Sequence, residues 1–277
     1  MQNDRFVRFF TMTVSMLLLL WTVPAHPAHP LITDDTFTQG KGNTQIEISY
    51  KYAQDDDNGV KTRTSQPQIQ VSYGILDPLD VIVTVPYLFV KTEQTGNASS
   101  VDGIGDVTTA VKWRFFGDKE GFQFAIKPSI TFPTGNEEKG LGIGQSSPGA
   151  SYYYKFDRQS YGVTLIGTYD QEDWCVSANA VYQHNHYGLQ SDEDAYQSDI
   201  WSASLSGQYR PVEKVWLVGE AGLLRNPDKT SDTPPAYINA GVIYELTKDL
   251  ELDVGFRYGL NKPAVDSTMS AAVTIRF

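Results

Sequence analysis

The chain has 277 residues, a formal net charge of −11 and a single cysteine. An acidic chain without a basic patch has nothing to meet phosphates, which excludes nucleic acid as a partner. One cysteine excludes an intramolecular disulfide, so an exported chain of this composition must be held by its core or by lipid.

The first 25 residues read as a secretory signal. Arg5 and Arg8 give a positive start, Phe9 to Val23 an apolar stretch, and Val23-Pro24-Ala25 a small-residue cleavage site. The stretch is short for a transmembrane helix and lacks a stop-transfer flank. Removing it takes away two Arg and one Asp and leaves the mature chain near −12. Residues 26–42 carry no period and read as a periplasmic N-terminal arm or a small plug; both stay open.

From residue 43 onward the chain alternates apolar and polar residues with a period of two, the mark of strands that have one face in oil and one in a polar setting. Twelve strands are predicted, at 43–53, 65–75, 79–90, 104–116, 121–133, 158–169, 174–186, 198–210, 214–225, 236–246, 249–259 and 267–277. Each is about ten residues, enough to cross a bilayer at a tilt of roughly 45°. Leu250, Leu252, Val254, Phe256 and Tyr258 share one face of the eleventh strand, and Glu251, Asp253, Gly255, Arg257 and Gly259 the other. The first strand sets Ile46, Ile48, Tyr50 and Tyr52 against Gln45, Glu47, Ser49 and Lys51. Tight turns at 76–78, 117–120, 170–173, 211–213 and 247–248 alternate with long polar segments at 54–64, 91–103, 134–157, 187–197, 226–235 and 260–266. Short periplasmic turns and long outer loops are the habit of outer-membrane barrels. The fold class is therefore all-β: an antiparallel transmembrane β-barrel of about 12 strands over residues 43–277, of the kind found in the outer membrane of Gram-negative bacteria. A soluble β-sandwich does not explain the one-sided loop lengths.

The last strand places Met269, Ala271, Val273, Ile275 and Phe277 on one face. A terminal aromatic there resembles the insertion signal of outer-membrane barrels, which makes the barrel assembly machinery, membrane lipid and lipopolysaccharide the expected partners.

Alternation turns a set of charges inward. The lumen-lining candidates are Glu47, Lys51, Asp106, Lys112, Arg114, Lys127, Glu220, Glu251, Asp253, Arg257 and Arg276, with Asp80, Arg210 and Glu245 in the same class. They either set selectivity, as charge rings do in pores, or pair with one another to fill a modest bore. Asp253 and Arg257 share one face of their strand and line an open path or, if structural, pair with each other. His184-x-His186 could clamp a metal, but no third ligand follows at strong spacing, so no metal and no cofactor is expected. A lipid hydrolase would need a serine beside one of these histidines. Ser202, Ser204 and Ser206 lie on the next strand, yet no nucleophile motif surrounds them, and the chain is not expected to be an enzyme. The acidic clusters Asp55–Asp57, Glu137-Glu138 and Asp192–Asp194 read as solvated outer-loop surface.

His29-Pro30-Leu31-Ile32-Thr33-Asp34-Asp35-Thr36, Gly103-Ile104-Gly105-Asp106 with Lys112-Trp113-Arg114, and Phe132-Pro133-Thr134-Gly135 with Lys139-Gly140-Leu141-Gly142 resemble the motifs of an outer-membrane transporter-like family named for the meta-cleavage (MetA) pathway of phenol degradation. Asp199-Ile200-Trp201, Tyr258-Gly259-Leu260-Asn261 and Arg276-Phe277 follow in order, and segment 147–157 looks like an insertion. The resemblance implies passive passage of small hydrophobic or aromatic molecules. The alternative is a closed structural or adhesion barrel, with a barrel hydrolase as a third possibility.

Overall fold

The computed structural model describes residues 29–57, 59–118, 120–135, 141, 159–186 and 190–277. The predicted leader, the 147–157 segment and Glu137-Glu138 lie outside these residues. Among them run β1 (Thr44–Asp57), β2 (Val60–Leu76), β3 (Leu79–Gln94), β4 (Asn97–Ile104), β5 (Val107–Phe116), β6 (Gly121–Phe132), β7 (Ser160–Gln171), β8 (Trp174–His184), β9 (Asp199–Val212), β10 (Val215–Leu224), β11 (Ala236–Thr247), β12 (Leu250–Gly259) and β13 (Ser267–Arg276). One short helix, α1 (Gln190–Ala195), lies between β8 and β9.

Apart from β4 and β5, each strand pairs antiparallel with its sequence neighbours, and β1 pairs with both β2 and β13, so the sheet closes on itself. β5 lies along the first part of β3 and β4 along the second, with the break at Gly105-Asp106. The two therefore form one bent stave, and the closed antiparallel barrel has the expected twelve.

The wall is inside-out relative to a soluble protein. Outward positions are large and apolar: Ile48, Tyr50, Ile69, Val85, Trp113, Phe124, Leu165, Leu205, Val254 and Phe256 are all exposed. Inward positions are polar and buried, as at Thr64, Gln66, Asp80, Gln123, Ser177, Gln183, Ser206 and Glu251. A sandwich would bury the first set against a second sheet; here it forms the outside of a closed wall, the arrangement of barrels built to face lipid. At the tight-turn end Trp113, Phe115, Phe116 and Phe124 form one cluster of rings and Phe122, Tyr169 and Trp174 a second, as interfacial girdles do.

Strand lengths differ from expectation. The segments 54–64 and 91–103, read from sequence as loops, are largely hairpin extensions of β1–β2 and β3–β4. Asp57 pairs with Val60, and Gln94 pairs with Asn97 across a turn whose Thr95 and Gly96 both have positive φ. These extensions are polar on both faces, so they carry no period-two contrast. That is the expected pattern for strands standing clear of lipid.

Candidate functional site

The candidate site is the lumen, and its main occupant is the N-terminal arm, residues 29–42. Fully extended, eleven residues reach about 36–40 Å, enough to run along the inside of a narrow wall. From Leu31 to Gln39 the arm meets β10, β9, β8, β7, β6, β5 and then β3. At its start His29 pairs through Nδ1 with buried Asp253 on β12. Pro30 lies over inward Gly241 and Gly255, where an added Cβ would come within 2.5 and 2.6 Å of the proline ring. Leu31 packs on Trp216, Val218 and Ile243, an apolar patch facing the lumen.

The backbone then turns onto a carboxylate. Ile32 N–H and Thr33 N–H both donate to Glu220 on β10, at 3.0 and 2.8 Å. Asn239 Nδ2 donates to Pro30 O at 2.9 Å and to Glu220 Oε1 at 3.2 Å. Thr33 Oγ1 donates to Ser204 Oγ at 2.8 Å. Asp34 binds two lysines at once, Lys112 Nζ at 2.7 Å and Lys127 Nζ at 2.6 Å. Lys112 also donates to the carbonyls of Asp35 and Phe37, at 3.1 and 3.2 Å. Thr36 reaches Thr168 and Gln123, and Gln39 N–H donates to Asp80 Oδ2 at 3.0 Å. The arm leaves past Gly74, where a Cβ would lie 1.8 Å from Gly40 O; only glycine lets the two backbones cross there.

Burial alone would raise the pKa of Asp34, but the charges of Lys112 and Lys127 overturn this and hold it well below the usual carboxylate range. Asp35 differs. Burial pushes it up to about 7, Lys112 opposes this at 3.6 Å, and the charge of Asp34 beside it adds to the rise. A docked arm therefore holds more protons than a free one between the ordinary carboxylate value and about 7. Docking through Asp35 strengthens as pH falls through that window and weakens above it. Channel openings at pH 5 should be rarer than at pH 8, and Asp35→Asn should flatten the difference; the measurement is open probability in planar bilayers.

The structure sorts the predicted lining charges by what they touch. Glu220, Asp253, Lys112, Lys127 and Asp80 hold the arm. Asp106 accepts Gly135 N–H at 2.9 Å at the loop end. Arg276 and Glu251 form a two-pronged pair at 2.5 and 2.9 Å near the turn end. Arg210 binds Asp173 of a tight turn, and Glu245 accepts Trp216 Nε1–H. The Asp253–Arg257 pair that a purely structural lumen would use does not form. Asp253 is taken by His29, while Arg257 donates to Thr268 Oγ1 at 3.0 Å and lies over the Tyr237 ring. Glu47, Lys51, Arg114 and Arg257 have no ion pair among the described residues.

Sequence reading missed the arm's contacts and much of the neutral lining: Thr62, Thr64, Gln68, Thr131 and Thr164 face inward and are buried, as are the expected Thr108, Ser202, Ser204 and Ser206. It also set the histidines beside the serines. His184 lies on the outward face and binds Asp199 at 2.8 Å, whereas Ser202, Ser204 and Ser206 point into the lumen. Neighbouring strands place them on opposite sides of the wall, so the serine–histidine arrangement of a hydrolase is not assembled. No cluster of three metal-ligating side chains occurs among the described residues.

The sequence profile of a family described as the putative MetA-pathway of phenol degradation matches residues 30–277. The chain belongs to that family. The fold is similar to the COG4313 outer membrane channel from Pseudomonas putida F1, at 15% identity and a TM-score of 0.64, covering 91% of this chain and 100% of that one. It is also similar to the KdgM porin, at 10% identity and 0.54, covering 83% and 99%. The β-domain of the Bordetella autotransporter BrkA matches at 13% identity and 0.55, covering 86% and 100%. No curated protein matches the sequence. A porin and an autotransporter domain share this barrel, so function has to be argued from the lumen.

Proposed function

We propose that the protein is an outer-membrane channel of a Gram-negative bacterium that lets small hydrophobic or aromatic molecules cross passively, without chemistry, cofactor or energy source. The observation that carries this is an inside-out wall around a polar lumen narrowed by its own arm. The family and the named channel among its structural neighbours support the direction; the substrate class rests on the family. In this reading the tight-turn end faces the periplasm, the hairpin extensions and α1 face outward, and the arm is the constriction.

Transport is tested with purified barrel in liposomes and planar bilayers. Accelerated entry of phenol or toluene and discrete conductance steps are expected. Barrel that never conducts and never speeds entry overturns the channel and leaves the closed structural barrel, for which the filled lumen speaks. Orientation is tested by cysteine labelling of intact cells after replacing the buried Cys175. An impermeant reagent should reach a cysteine at Asp194 and miss one at Asp118; the reverse pattern overturns the topology.

Assembly gives a further expectation. Phe277 exchanges backbone hydrogen bonds with Thr44 at 2.9 and 3.1 Å, closing the seam, while its ring stays exposed. Deleting it, or replacing it with a polar residue, should sharply lower insertion by the assembly machinery in cells, while strand content in detergent survives. Unchanged insertion would show that the terminal aromatic is not the signal.

A further inference from the structure

We propose that Lys51 and Arg257 form a binding site for a small organic anion, an aromatic carboxylate or phenolate, on the loop side of the arm. The inference rests on the channel reading and names the charge of the solute that passes. β13 lies between β1 and β12; Lys51 pairs in register with Ser270, and Arg257 with Thr268. The two cations thus flank one strand, one pleat step apart, and both face the lumen. Arg257 lies two residues beyond Gly255, which carries Pro30 of the arm, so the pair sits where a solute coming from the loops first meets the constriction.

Among the described residues the other lumen cations are paired or lie elsewhere. Lys112 and Lys127 share Asp34, Arg276 holds Glu251, and Arg210 holds Asp173. Arg114 faces inward near the turn end of β5. Lys51 has no hydrogen bond or ion pair among the described residues, and the charges it faces are Arg257, Glu47 and Glu220. Neither carboxylate is within ion-pair distance, and Glu220 is occupied by the arm's amides and Asn239. Arg257 has one hydroxyl partner and lies 5.5 Å from the centre of the Tyr237 ring. Two like charges in a confined wall cost energy that a bound anion removes. Flanking hydroxyls also lack partners: Ser49 Oγ and Thr64 Oγ1 are buried without a hydrogen bond among the described residues. Ser49 stands two residues from Lys51 on β1 and Thr64 on the adjoining β2, so both are unpaired donors on the Lys51 side of the site. A guanidinium already stacked on a tyrosine offers charge and a flat surface together, which suits a carboxylate carried on a ring.

Benzoate is the probe, with benzyl alcohol as its uncharged counterpart. Binding is measured by titration calorimetry on the folded, heat-modifiable barrel in detergent, and current block in planar bilayers. Benzoate should bind at least tenfold tighter than benzyl alcohol. Lys51→Gln with Arg257→Gln should abolish that preference and leave benzyl alcohol unchanged, and Arg257→Lys should restore only part. If the double variant does not fold, Lys51→Gln alone carries the test, since Lys51 makes no described hydrogen bond. Equal binding of the two probes, or a benzoate affinity unmoved by these substitutions, overturns the site. Benzoate binding by a barrel that never conducts overturns the channel and keeps the site; conduction without benzoate preference does the reverse.

Discussion

Replacing Val254 with Arg should cost about 2–4 kcal/mol of barrel stability, with Leu252 and Phe256 following the same trend by depth. Val254 is 58% exposed on the outer face of β12, while Asp253 beside it is 4% exposed inside. Period-two geometry puts neighbours on opposite sides of the wall, so a charge at Val254 meets hydrocarbon. Denaturant unfolding from lipid vesicles reads the cost, and full tolerance at all three positions would contradict a lipid-facing wall. At Gly255 the penalty arises differently. Any side chain there runs into Pro30, so the expected loss is of arm docking rather than of lipid compatibility.

The second large effect is expected at Asp34. Its carboxylate is the shared partner of Lys112 and Lys127, and the side chains of Asp34 and Lys112 are largely buried. Taking one member from a buried pair leaves a charge uncompensated, at about 3–5 kcal/mol. Asp34→Ala should therefore release the arm while the wall, held by its own ladder, stays closed. The signs are a protease-sensitive N-terminus and a higher mean conductance. Combining Asp34→Ala with Lys112→Met should cost less than the two single changes added together, because the second removes the stranded charge. An arm still protected and a conductance unchanged in Asp34→Ala would show that this cluster does not hold the constriction.

The wall was legible from alternation alone, because a lipid-facing and a lumen-facing side force contrast at every second residue. Strand extents were less so: β1–β2 and β3–β4 continue past the apolar region with polar residues on both faces, and there the contrast vanishes. The arm was opaque for another reason. It is held by backbone amides on Glu220 and by single side chains spread over the wall, none of which leaves a period in residues 29–42. A trace was present in Gly241 and Gly255, inward glycines in mid-strand that mark a close approach of another backbone or ring. For Asp253 and Arg257 proximity on one strand face left pairing open as an alternative. Inside a barrel the competing partners come from across the bore and from the arm.

The arm's route also bears on the order of assembly. Its first residue described here is anchored to Asp253, 224 positions later, and its next anchors lie on β10 and β9. Until the C-terminal third of the chain has formed strands, those anchors do not exist. The arm joins β1 at Thr44, on the tight-turn rim beside Phe277, so it can fold in through the mouth of the bore once those strands stand. The N-terminal residues, made first, are therefore among the last to find their place.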